Sequence, residues 1–275
     1  MMKNNLKFTI LCTVCLSFCL GLGGCGLFES GKTPEEWFKQ TLAGLAGKDE
    51  FTFRGEEGLR RNEQDRFVQN MIYEGKLTQH DKLTMTNVVP KIAAHHGKDV
   101  LEMEGKEVNE VHLLRQKGDW MHINEDGKAR TQASLSRFNP LEQLEAIHEL
   151  PKEITEETAA ARGTKVLKIE LTPAAAHTWL SKQLKQEMAV LREEQVMAKG
   201  GTPKNKEKLE KVWKQGNDQL EQMLKQANVK TTYHLTINRK SGFPKRLSSK
   251  TYTRYTNAKG QQEQETLIND VLFSP

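Results

Sequence analysis

The chain has 275 residues, with 41 lysines and arginines against 36 acidic residues and a formal net charge of +5. So modest a balance argues against nucleic-acid binding. All four cysteines, Cys12, Cys15, Cys19 and Cys25, lie at the extreme N-terminus. From Gly26 onward no disulfide and no cysteine metal site is possible, and about 250 residues are enough to hold a fold by core packing alone.

Lys3 and Lys7 form a positively charged n-region, Phe8 to Leu20 an apolar h-region, and small residues then lead into Cys25. Met1 to Gly24 is too short, and too well ended by small residues, for a spanning helix of about 20 apolar residues, so it reads as a leader that is removed. Leu22-Gly23-Gly24-Cys25 resembles the lipobox of bacterial lipoproteins. The resemblance implies cleavage before Cys25, a diacylglyceryl group on its sulfur, palmitate-type acylation and a membrane anchor on the extracytoplasmic face. Gly26 lacks the aspartate that retains such proteins in the inner membrane of diderm bacteria. Plasma and outer membrane therefore stay open as the anchoring membrane, the outer face of a plasma membrane being preferred.

Two nucleotide motifs fall on this junction. Gly21-x-Gly23-x-x-Gly26 fits a dinucleotide fingerprint, and Gly26 to Thr33 fits the phosphate-loop pattern. Both need a buried strand to aim the loop at a helix N-terminus, and a leader supplies none. Thr33-Pro34-Glu35-Glu36 reads instead as N-cap, proline at N1 and capping-box glutamate. The seven residues Gly26 to Lys32 span roughly 25 Å at about 3.5 Å each, so the body sits close to the anchor. The first helix, Pro34 to Ala46, sets Trp37, Phe38, Thr41, Leu42 and Leu45 on one core-facing side.

Short alternating runs follow: Phe51 to Phe53, Arg66 to Leu77, Lys82 to Val89, Val100 to Met103, Val108 to Arg115 and Asp119 to Asn124. Signals such as Gly55, Gly75, Gly97, Gly105 and Lys117-Gly118 bound them as turns, predicting an antiparallel meander with one buried face. Asn139-Pro140-Leu141-Glu142 opens a short helix carrying Leu141, Leu144, Ile147 and His148 and stopping before Pro151. Val166 to Leu171 is a strand. Thr172-Pro173 and Thr202-Pro203 then cap two long helices, to about Lys199 and about Ala227, with apolar stripes Leu180, Leu184, Met188, Leu191 and Leu209, Val212, Trp213, Leu220, Met223. The pair reads as a helical hairpin between strands. Thr231 to Asn238, Pro244 to Tyr255 and Glu265 to Phe273 close the chain as strands.

Charge is polarised. Residues 26–172 hold 21 basic and 26 acidic side chains, residues 173–275 hold 18 and 10. The C-terminal part suits anionic headgroups or wall polymers, with a solvated charged face as the plainer reading.

Catalytic signatures are missing from the sequence. The eight histidines include His95-His96 in a polar loop and no His-Glu-x-x-His helix, and Glu145-x-x-His148 is half of a di-metal motif with no second pair. There is no Gly-x-Ser-x-Gly elbow, and Cys25 would be lipid-modified. Glu56-Glu57 and Glu156-Glu157 read as solvated surface. No catalytic, cofactor or metal residue is expected, and Cys25 alone is a site, of lipidation.

The order of elements resembles the lipoprotein-carrier superfamily of LolA-like and LppX-like proteins. The residues that carry this are the early helix, Leu83-Thr84-Met85, Gly118-Asp119-Trp120, Asn139-Pro140-Leu141, Tyr233 to Asn238 and Gly242-Phe243-Pro244. The resemblance implies an α+β fold, a curved antiparallel half-barrel whose concave face, lidded by helices, receives acyl chains or a partner. The expected layout is leader 1–24, acylated cysteine and tether 25–32, and one α+β domain 33–275 with a hairpin insertion at about 173–227. The expected function is a non-catalytic membrane lipoprotein of the cell envelope that binds lipid or another amphiphile. The alternative is an envelope interaction or regulatory protein, sensor-like or spore-germination-like, that holds a protein partner. An open cavity of several hundred cubic ångströms favours the first and a filled concavity the second.

Overall fold

The computed structural model describes residues 31–62, 67–88, 110–123, 129–130, 136–159, 161–193 and 203–275. The leader, Cys25, Val100 to Met103 and His95-His96 lie outside them. In chain order the elements are α1 (Pro34–Ala46), β1 (Phe51–Arg61), β2 (Gln69–Thr78), β3 (Lys82–Val88), β4 (Glu110–Gln116), β5 (Asp119–Ile123), β6 (Ala129–Arg130), α2 (Pro140–Glu149), β7 (Lys152–Glu157), β8 (Thr164–Leu171), α3 (Pro173–Leu191), α4 (Pro203–Gln226), β9 (Asn228–Asn238), β10 (Pro244–Thr256) and β11 (Gln262–Ser274).

All eleven strands join one antiparallel sheet in the order β6-β5-β4-β3-β2-β1-β11-β10-β9-β8-β7. Two meanders, β1 to β6 and β7 to β11, are stitched at the centre where the first strand meets the last, from Thr52↔Ser274 to Arg61↔Glu265. The outer strands β6 and β7 do not pair with each other, so the curved sheet is an open half-barrel in an α+β fold. Helices α1 and α2 pack on its concave face, where Phe38, Leu144 and Ile147 are fully buried among Phe51, Tyr73, Leu83, Met85, Leu235 and Val271. Among the described residues no helix is long and apolar enough to cross a membrane.

Strand β1 runs eleven residues, well beyond the expected Phe51 to Phe53. Gly55 and Gly75 were expected to mark turns and instead lie inside strands. In register, Gly55 faces Tyr73 and Phe53 faces Gly75. A Cβ at Gly55 would stand 2.1 Å from Tyr73 Cζ, and one at Gly75 would stand 2.2 Å from Phe53 Cζ. Each aromatic ring thus occupies the space over the opposite glycine that a side chain there would need.

Three of the four expected caps form, and the fourth, Thr202, lies outside the described residues. Thr33 Oγ1 accepts from Glu36 N at 3.2 Å while Thr33 N donates to Glu36 Oε2 at 2.7 Å, a complete capping box. Asn139 Oδ1 accepts from Leu141 N, and Thr172 Oγ1 from Ala175 N. Trp37, Phe38, Thr41 and Leu45 are the buried face of α1, as the helical spacing predicts.

The hairpin stripe differs from expectation. Leu209 and Val212 are 41% and 68% exposed, and the buried residue of α4 is Leu224. The contact with α3 is largely polar: Trp213 Nε1 donates to Met188 O at 2.7 Å, Arg192 pairs with Glu210 at 2.8 Å, and Lys185 pairs with Glu221 at 3.0 Å. Strand β7 was not expected, because Lys152 to Glu157 is mostly charged; as an edge strand with alternating partial burial it pairs only with β8.

Candidate functional site

The concave face carries two features. The first is a groove of about 560 Å³ between α1, α2 and the β2 to β5 arm. Leu42 and Leu45 from α1, Leu77 from β2, Trp120 from β5, and Leu141 and Leu144 from α2 give it an apolar floor. The helical spacing that buries one face of α1 and of α2 turns these side chains towards each other, while Leu77 and Trp120 belong to the inward register of the sheet. Its rim is charged. Arg115 pairs with Glu145 at 2.6 Å, and His80 Nδ1 donates to Lys48 O at 2.9 Å. Burial raises the Glu145 carboxyl above its ordinary value, against the pull of the Arg115 guanidinium. Two buried nitrogens at the groove, Trp120 Nε1 and His148 Nδ1, have no hydrogen-bond partner among the described residues. A buried indole N–H without an acceptor costs on the order of 1–3 kcal/mol.

The second feature lies beneath α3. Glu57, the seventh of the eleven residues of β1, shares the inward register of Phe51, Phe53 and Gly55, and its side chain is 13% exposed. Arg137 bridges it to the lid helix, with Nη2 at 2.8 Å from Glu57 Oε1 and Nη1 at 2.8 Å from Glu187 Oε1. Burial pushes the Glu57 carboxyl up to about 7; Arg137 opposes this and the Glu187 charge adds to it. Thr231 and Thr251, 3.0 Å apart at their hydroxyls, and the hydrogen bond from Tyr73 to Asn269 at 2.8 Å continue a polar lining across β2 and β9 to β11. Voids of about 60 and about 160 Å³ flank the carboxylate, the larger walled by Leu59, Met71, Leu180, Leu184 and Met223. Chemically the cluster is a clamp between sheet and lid.

Glu57 corrects the reading of Glu56-Glu57 as solvated surface. Glu56 points to the outer face and accepts from Asn70 Nδ2 at 3.0 Å, while Glu57 points inward. The signal was present in the alternation Phe51, Phe53, Gly55, Glu57, Leu59. Glu156 and Glu157 stay on the surface, facing Lys165 and His234. The histidines are dispersed: His112 and His122 on β4 and β5, His148 on α2, His177 on α3 with Nε2 at 2.7 Å from Leu224 O, and His234 on β9. Among the described residues no group of three or more histidine, cysteine, aspartate or glutamate side chains is placed to hold a metal ion. Thr33, the last position of the phosphate-loop pattern, is occupied in capping α1.

No family model and no curated protein matches the chain. Among solved structures, lipovitellin, described for its lipid–protein interactions, aligns with 82% of this chain at 6% identity and a TM-score of 0.37. The chain covers 25% of that protein, about a quarter of its length. A LolA superfamily protein from Nitrosomonas europaea aligns over 89% of this chain and 93% of its own, at 8% identity and a TM-score of 0.28. An acyl-CoA thioesterase II from Mycobacterium marinum aligns over 89% of this chain and 92% of its own, with 9% identity and a TM-score of 0.13. Similarity at this level carries no argument about activity, so a functional reading has to come from the groove and the sequence.

Proposed function

We propose that the protein is a non-catalytic lipoprotein, tethered through lipid on Cys25 to the extracytoplasmic face of a cell membrane, that binds a lipid or another amphiphile on the concave face of its half-barrel. The observation that carries the reading is the groove between α1, α2 and the sheet: about 560 Å³, apolar at its floor and charged at its rim. That volume lies within the roughly 300–1,000 Å³ of small-molecule sites. An acyl chain would displace water from Leu42 and Ala43 and lie over the buried Leu45, Leu77 and Leu144, and a polar head would meet Arg115, Lys48 and His148 at the rim. The leader and its Cys25 support the tether.

Native mass spectrometry of the full chain, purified without lipid stripping, tests this. The expected result is discrete added masses of acyl lipids that disappear on unfolding. In Ala43→Trp, where an indole from an exposed position of α1 enters the groove, the added masses fall away while far-ultraviolet circular dichroism stays unchanged. A single unliganded mass that takes up no offered lipid refutes the proposal. The filled centre of the concave face, where the Tyr73 and Phe138 rings pack in a tilted pair with centroids 4.8 Å apart, favours in that event the second reading, an envelope protein that holds a protein partner.

A further inference from the structure

We infer that the corner formed by the turn before β8 and the turn between β9 and β10 is the surface that lies against an anionic phospholipid headgroup layer. This rests on the membrane tether proposed above and adds which face of the molecule meets the bilayer.

Arg162 and Gly163 from the first turn, and Arg239, Lys240 and Lys245 from the second, line an open depression of about 540 Å³ whose lining, among the described residues, has four basic side chains and no acidic one. The two turns are fixed to each other: Arg239 N donates to Gly163 O at 3.0 Å, and Thr164 pairs with Asn238 at the end of the β8–β9 ladder. Arg162, Lys240 and Lys245 are exposed and form no ion pair with the described residues. Acidic groups of the same region are committed elsewhere, Glu156 to Lys165 and Glu36 to the cap of α1. Three cations, Arg162, Lys240 and Lys245, held on a rigid frame without an ion-pair partner among the described residues create a positive potential that an anionic surface relieves.

The position of the chain's exit selects the partner. Helix α1 lies across the β9–β10 turn, so closely that a Cβ at Gly44 would stand 3.0 Å from the Gly242 carbonyl carbon. At the start of α1, Trp37 is flanked by Lys32 at 4.9 Å and by Lys165 of β8 at 5.9 Å. The backbone therefore leaves the body beside the basic corner. Only Gly26 to Lys32 separate Cys25 from that exit, a reach of roughly 25 Å. An anchor there brings the corner to the headgroups, within about a Debye length or two at physiological salt. The first half of α4 also carries lysines beside exposed Leu209 and Val212. It belongs to the hairpin rather than to the exit, which is why the corner is preferred.

The test reconstitutes the full chain with vesicles of phosphatidylcholine alone or mixed with phosphatidylglycerol, and reads flotation together with amide hydrogen exchange. The expected result is flotation on both, with exchange in residues 161–165 and 238–245 slowed severalfold only where phosphatidylglycerol is present, and restored by high salt. Lys240→Glu with Lys245→Glu abolishes the slowing while flotation persists, since each basic side chain at an anionic surface is worth roughly fivefold in partitioning. Flotation on both vesicles with equal exchange refutes the docking surface and leaves the tether. Flotation only with phosphatidylglycerol, with the corner slowed, refutes the tether and supports the surface; flotation on neither refutes both. Slowing confined to residues 203–214, or produced equally by soluble polyglycerol phosphate, overturns the inference in favour of α4 or of a wall polymer.

Discussion

Replacing Glu57 with glutamine keeps the shape of the side chain and removes its titration. In the folded chain the carboxyl is raised from 4.5 to about 7, chiefly by burial, and the side chain is only 13% exposed. Between those values the folded state keeps a proton that the unfolded state has released. Stability is therefore fully present below about pH 4.5, falls as the pH rises, and has lost its full share above about pH 7. At 1.36 kcal/mol per unit, the loss amounts to about 3 kcal/mol. Glu57→Gln does not undergo it, and Arg137 keeps its bond to Glu187. Relative to wild type, the variant is expected to gain about 3 kcal/mol between pH 4.5 and 8, equivalent to roughly 6–12 °C in melting temperature for a chain of this size. Urea unfolding of both proteins at half-unit pH steps, plotted as the difference between them, isolates this one group from Glu142 and Glu145, which burial also raises. A difference that is flat with pH, or a wild type that gains on the variant as the pH rises, would refute the reading of Glu57 as a buried carboxyl under net desolvation.

Gly55→Ala places a methyl group into the Tyr73 ring and is expected to lower stability by about 1–3 kcal/mol, read from the urea midpoint. An unchanged midpoint would show that the ring has room to move. Thr33→Ala removes half of the capping box and should cost about 1 kcal/mol, whereas Thr33→Ser should cost little; equal losses would assign the effect to packing.

Local chemistry was legible where it acts within a few residues. Thr33, Asn139 and Thr172 each precede a proline and each caps a helix, and the alternation of Tyr233, Leu235 and Ile237 settles which face of β9 is buried. The hydrophobic face of α1 followed from the 3.6-residue period. The same periodicity misled at Leu209 and Val212, because an apolar stripe states a preference for burial without stating that a partner is there to provide it. Gly55 and Gly75 misled for a related reason: glycine marks a turn in isolation, and here each is covered by an aromatic ring from the neighbouring strand.

What the sequence determined by itself is the identity of most elements and the side of each that turns inward, since capping and periodicity depend on neighbours along the chain. The pairing of β1 with β11, which brings Thr52 beside Ser274, was decided only by tertiary structure. So were the inward burial of Glu57 against Arg137 and the groove between α1 and α2. Each depends on groups far apart in sequence meeting at a set distance, and whether a carboxylate is solvated or desolvated, or two apolar faces meet or leave a gap, is fixed by that meeting rather than by either partner alone.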